Sequence, residues 1–176
     1  MIYQKTTDMV QIKKCTFEHM TKSYPCKEKS VLDGCMIMRQ SIKPEDVQSP
    51  FQVEAYALLF CISGEVNIIS DLRSYTVTPG RLFVYLPNNI IKIDCKKESI
   101  ISEVILASDY LRKNFLQWNK ISPLFIQTTN NPVITIPTDR RDELIRMLDN
   151  IQERIKTATC SEWNRKAYHV ALKTFL

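Results

Sequence analysis

Between Val53 and Pro87 the chain is punctuated so often that no helix of ordinary length fits between the breaks. Ser63-Gly64 is a turn pair in which Gly supplies the positive φ of a tight hairpin. Asp71-Leu72-Arg73 makes a second turn, Pro79-Gly80 a third, and Pro87-Asn88-Asn89 closes the stretch. The segments between them predict four strands: Val53–Ile62, Glu65–Ser70, Ser74–Thr78 and Leu82–Leu86. Ser74–Thr78 alternates polar and apolar, as a half-buried strand does. Val53–Ile62 is β-branched, aromatic or aliphatic almost throughout, so the pattern leaves open which alternate residues point inward. Short strands at close, regular spacing predict a small antiparallel barrel or sandwich.

The flanking sequence extends this mainly β core. Asp33-Gly34 is a turn before a strand at Cys35–Met38, and a loop with two prolines runs from Lys43-Pro44 to Ser49-Pro50. Ile90–Asp94 and Ser99–Ala107 read as further strands around Lys96-Lys97-Glu98, and Val133–Ile136 as a last extended segment. Ser108 is placed to cap a short helix from Asp109 to about Asn119, with Leu111, Phe115 and Trp118 on one face. A longer helix begins at Thr138, with Asp139 in its first turn and a stripe of Leu144, Leu148, Ile151 and Ile155. A second helix follows Ser161, carries Trp163, and is apolar on more than one side up to Leu176, an ending that predicts a chain continuing further. The expected organisation is an N-terminal arm over 1–32, a β-barrel over 33–136 and a helical segment over 137–176.

Composition narrows the function classes. A chain of 176 residues with 44% hydrophobic and 24% charged residues suits one globular domain with a helical appendix. No apolar run approaches the roughly 20 residues of a membrane span, and MIYQKTTDMVQIKK lacks the apolar core of a signal peptide. The expectation is a cytoplasmic protein that does not enter the membrane. Its six cysteines form no C-x-x-C pair and are expected to be reduced. The net charge of +5 comes from lysines in runs no longer than two, which read as solvated.

Catalytic patterns are sparse. The two histidines, His19 and His169, lie outside the predicted strands, so no metal and no other cofactor is expected. There is no G-x-S-x-G and no glycine-rich phosphate loop, and the reading is of a protein that is not an enzyme. What remains is the interior of the β core, which in a small barrel can hold one small ligand. Its candidate lining is Met36, Met38, Tyr56, Leu58, Phe60, Phe83 and Tyr85; Arg73, Arg39 and Arg81 are candidate anion anchors near strand ends.

One family resemblance runs through these residues. A Gly after an apolar strand, a hairpin, then Tyr75-x-Val77-x-Pro79-Gly80-x-Leu82 and Pro87 resembles the sensor domain of AraC/XylS-type transcription regulators. The resemblance covers roughly residues 33–176 through the order of strands and helices. It implies a cupin-like antiparallel barrel of jelly-roll type followed by a helical dimerisation pair, with a small effector bound in the barrel. It also implies a homodimer built on Leu144, Leu148, Ile151, Ile155 and Trp163, and DNA binding only through a further C-terminal domain. The competing expectation is a stand-alone metal-free cupin, such as a carbohydrate-binding or isomerase-type barrel.

Overall fold

The computed structural model describes residues 12–23, 28–46, 49–114 and 125–158. Among the described residues, eleven strands form two sheets. The strands are β1 (Lys13–Cys15), β2 (Glu28–Leu32), β3 (Cys35–Ile42), β4 (Phe51–Val53), β5 (Tyr56–Ser63), β6 (Val66–Ser70), β7 (Arg73–Val77), β8 (Arg81–Tyr85), β9 (Ile90–Asp94), β10 (Ser99–Leu106) and β11 (Val133–Thr135). Helices α1 (Phe17–Ser23), α2 (Ser108–Asn114) and α3 (Thr138–Ala158) accompany them.

The first sheet has the order β1-β4-β9-β6-β7 and the second β11-β8-β5-β10-β3-β2. Strands β3 to β10 therefore alternate between the sheets as β3-β10-β5-β8 over β4-β9-β6-β7. This double Greek key is the eight-stranded jelly roll, the architecture that cupins share with many lectin and capsid domains. The sequence expectation of a barrel is corrected here: among the described residues the sheets pack face to face and no strand pairing closes one onto the other.

The turns carry the backbone conformations that their sequences demand. Asp33 and Gly34 both have positive φ (48° and 88°), the type I′ geometry that matches strand twist in the β2–β3 hairpin. The β6–β7 hairpin turns on Asp71 and Leu72 at φ 47° and 70°, so here a leucine occupies a position that favours Gly or Asn. At Gly64 (φ 84°) a side chain would also collide with Ser99, whose Cα would lie 2.9 Å from an added Cβ.

Each strand of the second sheet serves two cores. Met36, Met38, Ala57, Leu59, Cys61, Phe83, Tyr85, Ile101 and Ile105 face the first sheet. The alternate residues Cys35, Ile37, Leu58, Phe60, Val84, Val104 and Leu106 face the opposite way, into a cluster with Leu111, Phe125, Leu148, Ile151 and Ile155. The stretch read as one strand over Val53–Ile62 is divided, since Val53 ends β4 in the first sheet and β5 begins at Tyr56. Within β5 the parity is fixed, and the run is apolar on both faces because both are buried.

Helix α3 lies across β2 and β3 on this outer face. Leu148, Ile151 and Ile155 are all but fully buried, and Leu144 packs against the same cluster. Arg39 of β3 reaches Asp149 at 2.6 Å, and Arg141 donates to the Ile62 carbonyl at 3.1 Å, fixing the helix along the sheet. The stripe expected to join two subunits is thus spent within the chain, because the apolar outer face of the second sheet needs a cover. Trp163 and the helix after Ser161 lie outside the described residues, as do Phe115 and Trp118. The described part of the N-terminal arm is built into the sheets: β1 pairs parallel to β4, β2 pairs with β3, and Met20 joins the inner core.

Candidate functional site

The inner face of the second sheet carries two adjacent rows of side chains. Register places Met38, Glu103, Leu59 and Phe83 in one row, and Met36, Ile105, Ala57 and Tyr85 in the next. Four of the residues read from sequence as ligand-lining, Met36, Met38, Phe83 and Tyr85, thus share this face. They are packed core residues there: Phe83 stacks against Tyr85 at 5.1 Å, and Tyr75 of the first sheet closes edge-on over Phe83 at 5.4 Å. Tyr56, Leu58 and Phe60 do not join them. They belong to the outer cluster under α3, where Tyr56 packs on Phe125 at 4.8 Å.

The residue that sequence reasoning missed is Glu103. It sits in the middle of β10 on the inner face and is 3% exposed. Burial pushes its carboxyl up to about 8, with the Tyr85 hydroxyl pulling the other way. Its Oε2 has no hydrogen-bond partner among the described residues. At neutral pH the group is therefore largely protonated and can donate as well as accept. Its signal was present in the sequence: an acid set inside the apolar run Ser99–Leu106, at a position of inward parity.

The described residues contain no group of three His, Cys, Asp or Glu side chains able to hold a metal ion. Cys15, Cys35, Cys61 and Cys95 are free thiols, while Cys26 and Cys160 lie outside the described residues. Cys61 is on the inner face; burial pushes its thiol up to about 11, against the pull of Arg141 and with a small push from Glu65. It is an inert core group rather than a nucleophile. No helix among the described residues is long and apolar enough to cross a membrane.

The three arginines separate clearly. Arg39 is committed to Asp149, and Arg81 donates to the Thr76 carbonyl at 3.2 Å. Arg73 opens instead onto a cleft of about 290 Å³ between the β6–β7 hairpin, the end of β8 and the turn at 128–132.

No protein-family model matches the chain, and no curated protein does. Comparison with solved structures returns proteins that include several cupins. The Clostridium difficile EutQ protein is 17% identical, with 43% of this chain and 58% of that protein covered at a TM-score of 0.37. A cupin superfamily protein from Desulfitobacterium hafniense is 18% identical over 45% of this chain and 72% of its own, at 0.42. A cupin-2 domain protein from Shewanella frigidimarina is 12% identical over 43% and 72%, at 0.39. The chain thus spans just over half the length of the EutQ protein. At such partial overlap the fold assignment stands on the strand order itself.

Proposed function

We propose that this chain is the ligand-sensing domain of an AraC/XylS-type transcription regulator, binding a small effector within the jelly roll. In this reading it acts in the cytoplasm as a homodimer and reaches DNA through a separate domain. The observation that carries the reading is the position of β10. Its inward residues include Glu103, the polar anchor of the interior, and its outward residues pack in the cluster that holds α3. A ligand that prefers one arrangement of the interior would bias the seat of the helix, which is what a sensor requires. With the α3 stripe buried on the sheet, a dimer has to use another surface.

A second reading is favoured by one observation. A carboxyl tuned to titrate near neutrality beside a tyrosine hydroxyl is suited to proton transfer, as in an isomerase-type stand-alone cupin. Thermal-shift titration against sugars, aromatic acids and lipids, followed by deuterium exchange into whichever compound binds, tests both. Binding without exchange supports the sensor, and catalysed exchange supports the enzyme. No thermal shift with any compound overturns the ligand-binding reading, since a ligand that prefers the folded state must stabilise it.

A further inference from the structure

The cleft beside Arg73 opens at the edge of the sheets and borders the inner core through Tyr75, whose ring also closes over Phe83. One side is the β6–β7 hairpin, where Asp71 supplies the only carboxylate of the lining. That carboxylate is already engaged: Oδ2 accepts from Asn89 Nδ2 at 2.6 Å and Oδ1 from the Ile90 amide at 2.9 Å. Asn89 is used at its other end too, where its Oδ1 accepts from the Leu86 amide at 2.7 Å. The Arg73 guanidinium is not drawn into this network and forms no hydrogen bond or ion pair with another described residue. The far wall is the turn at 128–132, where Thr128 is tied to the Phe125 carbonyl at 2.8 Å while Asn130 is not tied to any described residue. Between them the floor is apolar, formed by Val84, Leu86 and Pro132.

A concavity with one uncommitted guanidinium, a carboxylate already engaged by two donors, uncommitted amide and hydroxyl groups and an apolar floor selects a definite chemistry. The guanidinium fork matches an oxyanion in two parallel hydrogen bonds. Asn130 and the Tyr75 hydroxyl can then bond a neutral polar body, with the floor beneath its carbon face. We propose that this cleft is a binding site for a small hydroxylated carboxylate, such as a sugar acid, anchored by Arg73. The site shares Tyr75 with the inner core but does not include Glu103, and it stands whether or not the interior takes a ligand.

The experiment is isothermal titration of the whole chain with D-galacturonate, D-galactose and inorganic phosphate, repeated on Arg73→Gln, Arg81→Gln and Glu103→Gln. Saturable galacturonate binding is expected, weaker by about tenfold or more in Arg73→Gln, the loss typical of a charge-assisted pair. Arg81→Gln removes the same charge nearby and should leave it unchanged. Galactose should bind at least about tenfold more weakly than the acid, for want of the same pair. Arg73 is exposed, so the variant should keep its wild-type melting temperature. Galacturonate binding that survives Arg73→Gln but falls in Glu103→Gln would put the ligand in the interior and overturn this inference while leaving the ligand-sensing reading intact. Phosphate binding as tight as galacturonate would overturn the ligand class, and no binding of galacturonate would overturn the site.

Discussion

Replacing Glu103 by glutamine keeps the shape of the side chain and removes its proton equilibrium. In the unfolded chain a glutamate ionises near 4.5, whereas the buried carboxyl holds its proton up to about 8. Between those values the folded protein carries a proton that the unfolded chain has released. Unfolding then sheds a proton, so stability falls as pH rises from about 4.5 to about 8 and is flat above. At roughly 1.4 kcal/mol per unit, the loss accumulated by pH 7 is about 3 kcal/mol, a large part of the 5–15 kcal/mol typical of a domain. Glutamine has no such slope, and its amide can still meet the Tyr85 hydroxyl. Urea unfolding at several pH values should therefore show Glu103→Gln gaining on the wild type by about 3 kcal/mol between pH 5 and pH 7.5, taken as the difference of the two curves so that the other carboxylates cancel. Parallel curves would refute the reasoning, because they would mean that the Glu103 charge is accommodated in the folded state.

Leu148→Ala should cost about 2–5 kcal/mol in urea unfolding, since the side chain is 1% exposed against the sheet, and should leave the sedimentation coefficient of the folded protein unchanged. A change of assembly state without loss of stability would return the stripe to a subunit interface. Gly64→Ala combines a left-handed backbone with the collision at Ser99, and should lower the melting temperature by the equivalent of more than about 1 kcal/mol. Leu72→Gly should raise stability by up to about 1 kcal/mol in thermal unfolding, because Leu72 is 98% exposed and gains nothing in packing from its strained turn.

Much of the fold could be read from punctuation. The breaks at Ser63-Gly64, Pro79-Gly80 and Pro87 bound the observed strands to within a residue or two, and α3 begins at Thr138 as its pattern predicts. Partnership was harder to read. The stripe of Leu148, Ile151 and Ile155 announces a buried face but not what covers it, and the cover is the chain's own sheet. Tyr56, Leu58 and Phe60 are as apolar as their neighbours Ala57, Leu59 and Cys61, so alternation could not sort them between the two cores. The polar N-terminal stretch hides β1 and β2 because edge strands need no long apolar run. Of the candidate site, Arg73 could be found as an anion anchor, but its freedom from partners depends on contacts that only the fold creates. Glu103 was legible as an anomaly in an apolar strand, and its depth was not.

Strand β10 is the party wall of this molecule. Ile101, Glu103 and Ile105 furnish one room; Val104 and Leu106 furnish the other, shared with Leu148 and Ile151. Neighbouring residues on the strand are separated by only about 3.4 Å of backbone, and both rooms are lined by buried side chains. Neither can change volume without leaning on the other. Substitutions at Glu103 and Leu148 touch different cores, yet their energies will not add as those of independent sites do, and a double-mutant cycle between them measures how stiff the wall is.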